Sequence, residues 1–176
     1  MAYVVPDRDR GDAVWVVDPD SAVVVLAASD EQARRLARML EAVGFRDLRD
    51  YLAGGITAWR ESGRSFETTE ATDVSTLAER LKAGEVDLLD VREEDERREG
   101  HVEGAADIPY HELRDAPPAE VRDRDARPLA VACSAGTRSS LAVSLLKRHG
   151  VDRVLHVADG GAADLREHGV DLVKGD

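Results

Sequence analysis

The residues best suited to chemistry lie in the stretch Leu129–Ser140, LAVACSAGTRSS, which holds the one cysteine of the chain. Apolar residues precede Cys133, small residues follow it, and Arg138 stands where a helical pattern begins. Gly136 permits backbone conformations that larger residues resist, so the loop can turn its N–H groups inward, toward the positive end of the next helix. Such a loop stabilises a thiolate, and the planar charge of Arg138 suits an oxyanion. The pattern predicts that Cys133 is a nucleophile acting on a small anionic substrate. The residues expected to bind that substrate are Ser134, Ala135, Gly136, Thr137 and Arg138.

An internal repeat tests this interpretation, because an isolated cysteine at a strand end is more often inert packing. The glycines that recur 106 positions later are Gly44, Gly54, Gly55 and Gly63, which become Gly150, Gly160, Gly161 and Gly169. The same offset places Ala27 opposite the cysteine, Asp30 opposite the loop glycine and Gln32 opposite the arginine. The first copy keeps the scaffold without the chemical groups and is predicted to be catalytically silent. Since the scaffold does not need those groups, their presence in the second copy favours a chemical role.

The elements that must position the loop alternate between strands and helices. Val74–Lys82 predicts a helix, and Val86–Val91 and Leu129–Cys133 predict buried strands. This alternation is typical of an α/β fold with a parallel sheet. The charged run Glu93–Gly100, EEDERREG, is interpreted as a solvated helical face and not as a binding site.

The first copy has the same plan, with a strand at Val23–Ala27 and a helix that is capped by Ser29 and ended by Gly44. Few residues precede its strand, so it is interpreted as the C-terminal half of a domain. A polar stretch, Ser65–Thr72, marks the boundary. The predicted domains are therefore residues 1–68, partial and inactive, and residues 69–176, complete.

Composition and charge bound the function. A formal net charge of −12 argues against nucleic acid or an anionic membrane as a partner. The chain has no apolar run long enough for a membrane span, and its first residues do not resemble a signal peptide. A single cysteine cannot form an internal disulfide, which fits a cytoplasmic protein. The five histidines show no metal-ligand spacing, so neither a metal nor another cofactor is expected.

The motifs together resemble a rhodanese (sulfurtransferase) domain. They are DVREEDERREGHVEGAADIP at Asp90–Pro109, then CSAGTRSS, then the glycine pair at Gly160 and Gly161. The resemblance implies a three-layer α/β fold with a central, mainly parallel sheet, here preceded by a partial, degenerate copy. It implies that Cys133 takes a sulfane sulfur from thiosulfate or a low-molecular-weight persulfide and passes it to a thiol or cyanide. By the same resemblance, Asp90 and Arg92 support the site without reacting.

The whole arrangement is also similar to the tail of fusion proteins in which a metallo-β-lactamase-like persulfide dioxygenase precedes rhodanese domains. That likeness implies an upstream catalytic domain as a partner, although the histidine motif of such an enzyme is missing here. The open sheet edge of the first copy is expected to be covered by the second domain or by self-association.

One departure and two alternatives bear on function. Ser134 stands where many single-domain rhodaneses have a second arginine, which implies weaker binding of a doubly charged donor such as thiosulfate. The first alternative is a noncatalytic sulfur-relay or regulatory interaction module. The second is a cysteine phosphatase of the related fold, which uses C-x5-R, whereas only four residues separate Cys133 from Arg138 here.

Overall fold

The computed structural model describes residues 22–27, 29–64, 68–122 and 127–175, and the chain divides into two compact units between Thr68 and Thr69. In the first unit, β1 (Val23–Val25) and β2 (Leu48–Tyr51) form a two-stranded parallel sheet. Helix α1 (Asp30–Ala42) joins these strands, and α2 (Gly55–Glu61) follows them. The part of the predicted first domain before Ala22 lies outside the described residues.

A small apolar core holds the described part of the first unit together. The buried residues of this core are Val23, Val25, Ala33, Leu40 and Phe45. Ala33 and Leu40 come from the apolar stripe of α1, which begins at Ser29 because the serine Oγ accepts a hydrogen bond from Gln32 N. The predicted strand–helix–strand–helix order is therefore present in this unit.

The described residues of the second unit include seven strands. They are β3 (Glu70–Asp73), β4 (Asp87–Asp90), β5 (His101–Val102), β6 (Ala106–Asp107), β7 (Leu129–Ala132), β8 (Val154–Asp159) and β9 (Leu172–Val173). The helices of this unit are α3 (Val74–Lys82), α4 (Glu94–Glu99), α5 (Ala119–Arg122), α6 (Thr137–Arg148) and the 3₁₀ helices Tyr110–Arg114 and Ala162–His168.

Five of these strands form one parallel sheet in the order β3–β8–β7–β4–β6, and β5 pairs with β9 in a small antiparallel ribbon. All four residues of β7, at the centre, are buried. A central parallel strand has no solvent-facing side because helices cover both faces, which explains its uninterrupted apolar sequence. The predicted α/β fold with a central, mainly parallel sheet is confirmed.

Helices α3 and α6 pack against the sheet that carries the cysteine loop. Leu77 of α3 and Leu165 of the second 3₁₀ helix are fully buried in one apolar cluster with residues of β4, β7 and β8. Helix α3 begins at Asp73, whose Oδ1 accepts from Thr76 N at 2.8 Å. Helix α6 contacts β8 and buries the side chains of Leu141, Ala142, Leu145 and Leu146. Burial of a leucine side chain stabilises the fold by about 1.5–3 kcal/mol.

Within the described ranges, none of the helices combines the length and the apolar character that crossing a bilayer requires.

Candidate active site

The cysteine loop connects the central strand of the sheet to the amino end of a helix. Cys133 directly follows β7, and α6 begins at Thr137, so residues 134–136 make the whole turn. Gly136 has a φ of +82°, and a Cβ atom added to it would lie 2.6 Å from the backbone oxygen of Ala158. The turn therefore requires both a left-handed backbone and the absence of a side chain, and glycine meets both conditions.

The cysteine lies at the base of this loop with 1% of its surface exposed. Its Sγ donates a hydrogen bond to Ser139 Oγ at 3.6 Å, and Ser139 is fully buried. The Ser139 hydroxyl in turn donates toward the carbonyl oxygens of Gly136, at 2.9 Å, and Val157, at 3.2 Å. A hydroxyl can rotate, so the same group can donate to the sulfur once the thiol has lost its proton. Ser139 thus provides a polar contact for either protonation state of Cys133.

The amino end of α6 carries no side-chain cap. Gly136 is its N-cap, and no acidic residue of the helix itself occupies its first turn. Helix α1 of the first unit differs at the equivalent place, where Ser29 caps the helix and Asp30 and Glu31 occupy the first turn. Asp30 Oδ1 also accepts from Gly54 N at 3.2 Å. Of the two described junctions, the second is the one whose helix start is free of acidic side chains.

The glycine pair that closes each repeat packs against this junction. Ala162 N donates to Cys133 O at 2.8 Å, and a Cβ at Gly161 would lie 2.6 Å from the same oxygen. In the first unit, a Cβ at Gly55 would lie 2.7 Å from Ala27 O. Gly161 and Gly55 therefore have the same steric role, since both allow a helix to approach closely the residues that follow the first strand of each repeat, β7 or β1.

The starting strand register repeats as well. Val23 pairs with Leu48 in the first unit and Leu129 pairs with Val154 in the second, so these first pairs are one repeat offset apart, although the register of the first unit shifts by one residue after Val23. The repeat in the glycines thus extends to the backbone that carries the junction.

The guanidinium of Arg138 is held by a carboxylate. Its Nη1 and Nη2 donate to the two carboxylate oxygens of Glu96 at 2.5 and 2.7 Å, and Nη2 also donates to Ser134 Oγ at 2.6 Å. The hydrogen bond from Arg138 is the main reason that the pKa of Glu96 lies below its usual value. Arg138 is near the loop, as the sequence predicted, but its charge is shared with Glu96.

Glu96 belongs to α4, within the run that was interpreted as a solvated face. That interpretation holds for Glu94, Asp95, Arg98 and Glu99, which are exposed. It is wrong for Glu96, whose side chain is 33% exposed and forms the bidentate pair. Glu96 Oε2 also accepts from Glu93 N at 3.2 Å in a capping box, so the carboxylate is anchored at the start of α4.

Asp90 and Arg92 form a buried ion pair at the end of β4. Arg92 Nη2 donates to Asp90 Oδ2 at 2.6 Å and to the carbonyl oxygen of Gly100 at 2.9 Å. Arg92 Nη1 lies 3.5 Å from the carbonyl oxygen of Glu96. The pair thereby joins the strand end to the middle and to the carboxyl end of α4, the helix that carries the partner of Arg138.

His156 adds a further contact to the loop from the neighbouring strand. Its Nε2 lies 2.9 Å from Gly136 O and donates to it, since the carbonyl can only accept. Ser140 N also donates to this oxygen, at 3.1 Å. These bonds fix the direction in which the Gly136 carbonyl points.

Comparison with known proteins identifies the family. A sequence profile of the rhodanese-like domain matches residues 73–168, which is more than half of the chain. The chain belongs to the rhodanese family. The matched region begins just before α3 and ends with the second 3₁₀ helix, so it contains the whole rhodanese sheet core described above except most of β3. A search of curated proteins found no match.

Solved structures agree with the rhodanese fold. A rhodanese-like domain from Anabaena is 27% identical with a TM-score of 0.51, and covers 61% of this chain and 81% of its own. A thiosulfate sulfurtransferase from Pseudomonas aeruginosa is 22% identical with a TM-score of 0.50, and covers 90% of this chain and 33% of its own. A protein of unknown function from Rhodopseudomonas palustris, described as a possible tyrosine phosphatase, is 24% identical with a TM-score of 0.52, and covers 68% of this chain and 94% of its own. At this identity the last two show a shared fold alone.

Within this rhodanese domain, the structure brings the loop residues 133–138 together and joins Asp90 and Arg92 to α4. Ser134, Ala135 and Thr137 are exposed around the buried Cys133. The sequence did not predict the roles of Glu96, Ser139 and His156. Ser139 follows the arginine in CSAGTRSS, and its position one helical turn after Gly136 was the only available signal.

Proposed function

We propose that this protein is a sulfurtransferase in which Cys133 carries a sulfane sulfur from a small donor to a thiol or cyanide acceptor. The observation that carries the proposal is the junction of β7 and α6, where the one cysteine meets an uncapped helix end and a buried hydroxyl in a rhodanese-family domain. Helix ends and nearby donors favour the thiolate, which is the nucleophilic form of cysteine.

In the first step the Cys133 thiolate attacks the outer sulfur of thiosulfate or a persulfide. A new S–S bond forms to Sγ, the S–S bond within the donor breaks, and sulfite or a thiolate leaves with the electron pair. The negative persulfide then lies within the loop, where backbone N–H groups of residues 134–138 are the proposed hydrogen-bond donors. In the second step an acceptor thiolate or cyanide takes the outer sulfur and restores the Cys133 thiolate. No other oxidant or reductant is needed.

The other site residues are proposed to position these groups. Gly136 allows the turn, Ser139 orients the sulfur, and Arg138, which is held in place by Glu96, binds the anionic end of the donor. Asp90 and Arg92 hold α4 in place and do not react.

The first unit is proposed to be a partial, silent rhodanese-like copy. The equivalent first pairs of the two sheets, Val23 with Leu48 and Leu129 with Val154, and the equivalent contacts of Gly55 and Gly161 support this proposal. Its junction carries Ala27 instead of a cysteine and two acidic residues at the helix start, so it has neither a nucleophile nor an attractive site for an anion.

Intact-mass spectrometry tests the proposed activity. The protein is reduced, desalted and incubated with thiosulfate or with the persulfide of 2-mercaptoethanol. An adduct of about 32 Da is expected, and cyanide should remove it as thiocyanate. Because the chain has one cysteine, the adduct can be assigned, and Cys133→Ala should lack it. Absence of the adduct with both donors, or its persistence in Cys133→Ala, contradicts the proposal.

The same protein should be assayed with p-nitrophenyl phosphate. Four residues separate the cysteine from Arg138, which makes a tighter loop than the C-x5-R of the cysteine phosphatases, so no hydrolysis is expected. Hydrolysis that depends on Cys133 in the absence of sulfur transfer would favour a phosphatase instead.

A further inference from the structure

The ion pair between Arg138 and Glu96 affects which sulfur donors can bind at the cysteine loop. A bidentate guanidinium–carboxylate pair carries no net charge, although both groups remain ionised. Both terminal nitrogens of Arg138 donate to Glu96, and Nη2 also donates to Ser134 Oγ. Much of the planar guanidinium therefore faces protein atoms. An incoming anion therefore meets the carboxylate as well as the cation.

Glu96 is fixed in place by more than this pair. The Glu96 carboxylate accepts a hydrogen bond from Glu93 N in the capping box of α4. The backbone carbonyl oxygen of Glu96 also lies 3.5 Å from Nη1 of the buried Arg92. Moving the carboxylate aside would break two charge-assisted hydrogen bonds and the helix cap together. The negative charge consequently stays at the site when a donor arrives.

We infer that Glu96 is a specificity-determining residue that disfavours doubly charged sulfur donors and selects organic persulfides, R–S–SH or R–S–S⁻. This inference rests on the proposed sulfur transfer and specifies its donor class. Thiosulfate brings two negative charges, so its approach to the loop is opposed by the carboxylate of Glu96. An organic persulfide brings at most one charge at its reacting end.

The favoured step balances without a further reactant. The Cys133 thiolate attacks the outer sulfur of R–S–SH, a bond forms between Sγ and that sulfur, and the S–S bond of the donor breaks. The products are Cys133–S–SH and the thiolate R–S⁻, which leaves with the electron pair. One negative charge enters the step and one leaves it.

The test compares Glu96→Gln with the wild type, using thiosulfate and the persulfide of 2-mercaptoethanol, whose tail is uncharged. Glutamine also serves at this position of a capping box, so α4 should remain folded while the charge is removed. The matched control is Glu94→Gln on the same helix, because Glu94 is 69% exposed and pairs with Arg98. Values of kcat/KM are measured by thiocyanate release, and the Cys133 adduct is followed by mass in the same samples.

Glu96→Gln is expected to raise kcat/KM for thiosulfate about tenfold, which is equivalent to about 1.4 kcal/mol. The kcat/KM for the persulfide should change less than about threefold. Glu94→Gln should leave the ratio of the two constants unchanged. An unchanged ratio in Glu96→Gln, or an equal rise in Glu94→Gln, overturns the inference even if sulfur transfer occurs. If the wild type forms no Cys133 adduct with either donor, the proposed function fails and this inference fails with it.

Discussion

Replacing Gly136 with alanine is expected to destabilise the second unit by about 3 kcal/mol, while the same replacement at Gly150 costs about 1 kcal/mol. The two glycines stand at opposite ends of α6 and have nearly the same backbone, with φ of +82° and +84°. Each alanine would therefore bear the left-handed strain of an L-residue, about 1 kcal/mol. The two variants therefore share the same helix, the same substitution and nearly the same φ angle.

What separates the two positions is the space around the added methyl group. A Cβ atom added at Gly150 would have no atom within 4 Å, whereas one added at Gly136 would lie 2.6 Å from the backbone oxygen of Ala158. Ala158 belongs to β8, which is hydrogen-bonded between two other strands, so the loop must shift rather than the sheet. Overpacking of this kind adds about 1–3 kcal/mol. The shift should also move Cys133 relative to Ser139 and slow persulfide formation at least about tenfold.

Urea unfolding followed by circular dichroism measures the stability. Both tryptophans of the chain, Trp15 and Trp59, precede Thr69, so tryptophan fluorescence reports on the first unit. A transition seen by circular dichroism without a fluorescence change belongs to the second unit. Equal midpoint shifts for the two variants would refute the steric reasoning. A normal rate of Cys133 persulfide formation in Gly136→Ala would refute the link between the turn and the chemistry.

Three further outcomes are expected. Ser139→Ala should slow persulfide formation about tenfold in single-turnover mass spectrometry, because the sulfur loses its hydroxyl partner, whereas Ser144→Ala, which removes a hydroxyl bonded within the same helix, should not. Asp90→Asn should lower the free energy of unfolding of the second unit by about 3 kcal/mol, since it leaves a buried arginine without its counter-charge; a loss below about 1 kcal/mol would contradict this. Hydrogen bonds from the Ser75 hydroxyl, and then from backbone and side chain of the next residue, hold the pKa of Asp73 well below its ordinary value. This carboxylate therefore stabilises the fold above its unfolded pKa of about 3.9, and the stabilisation is lost as pH falls through the folded pKa. The urea midpoints of the wild type and of Asp73→Asn should therefore differ at pH 7 and converge in acid.

Local signals in the sequence were sufficient for most of the fold. The helix Val74–Lys82 has the predicted bounds because Asp73 caps it and its apolar stripe is regular. The strand before Cys133 was predictable because a central parallel strand is apolar throughout. The ribbon of β5 and β9 was not predicted, since two-residue strands have no detectable period.

Some features of the candidate site could also be predicted from the sequence, and others could not. The backbone of the loop followed from Gly136 and from the comparison with the first copy. The bond between Arg138 and Glu96 joins positions 42 residues apart, and an exposed-looking run of charges gives no sign of which carboxylate turns inward. The contact of His156 with Gly136 likewise depends on the pairing of β7 with β8 and on side-chain direction, neither of which composition reveals.

The uncapped start of α6 lowers the stability of this helix. Helix α1 gains from a serine cap and two acidic residues in its first turn, and such groups typically add about 0.5–2 kcal/mol to a helix. Helix α6 forgoes that gain, and an acidic residue at its exposed Thr137 would restore part of it while repelling an anionic donor. Selection for thermal stability alone would therefore tend to fill this helix start with carboxylates, as the first unit already does. On the proposed function, the unfilled start of α6 keeps this helix end open to an anionic donor at the expense of that stabilisation.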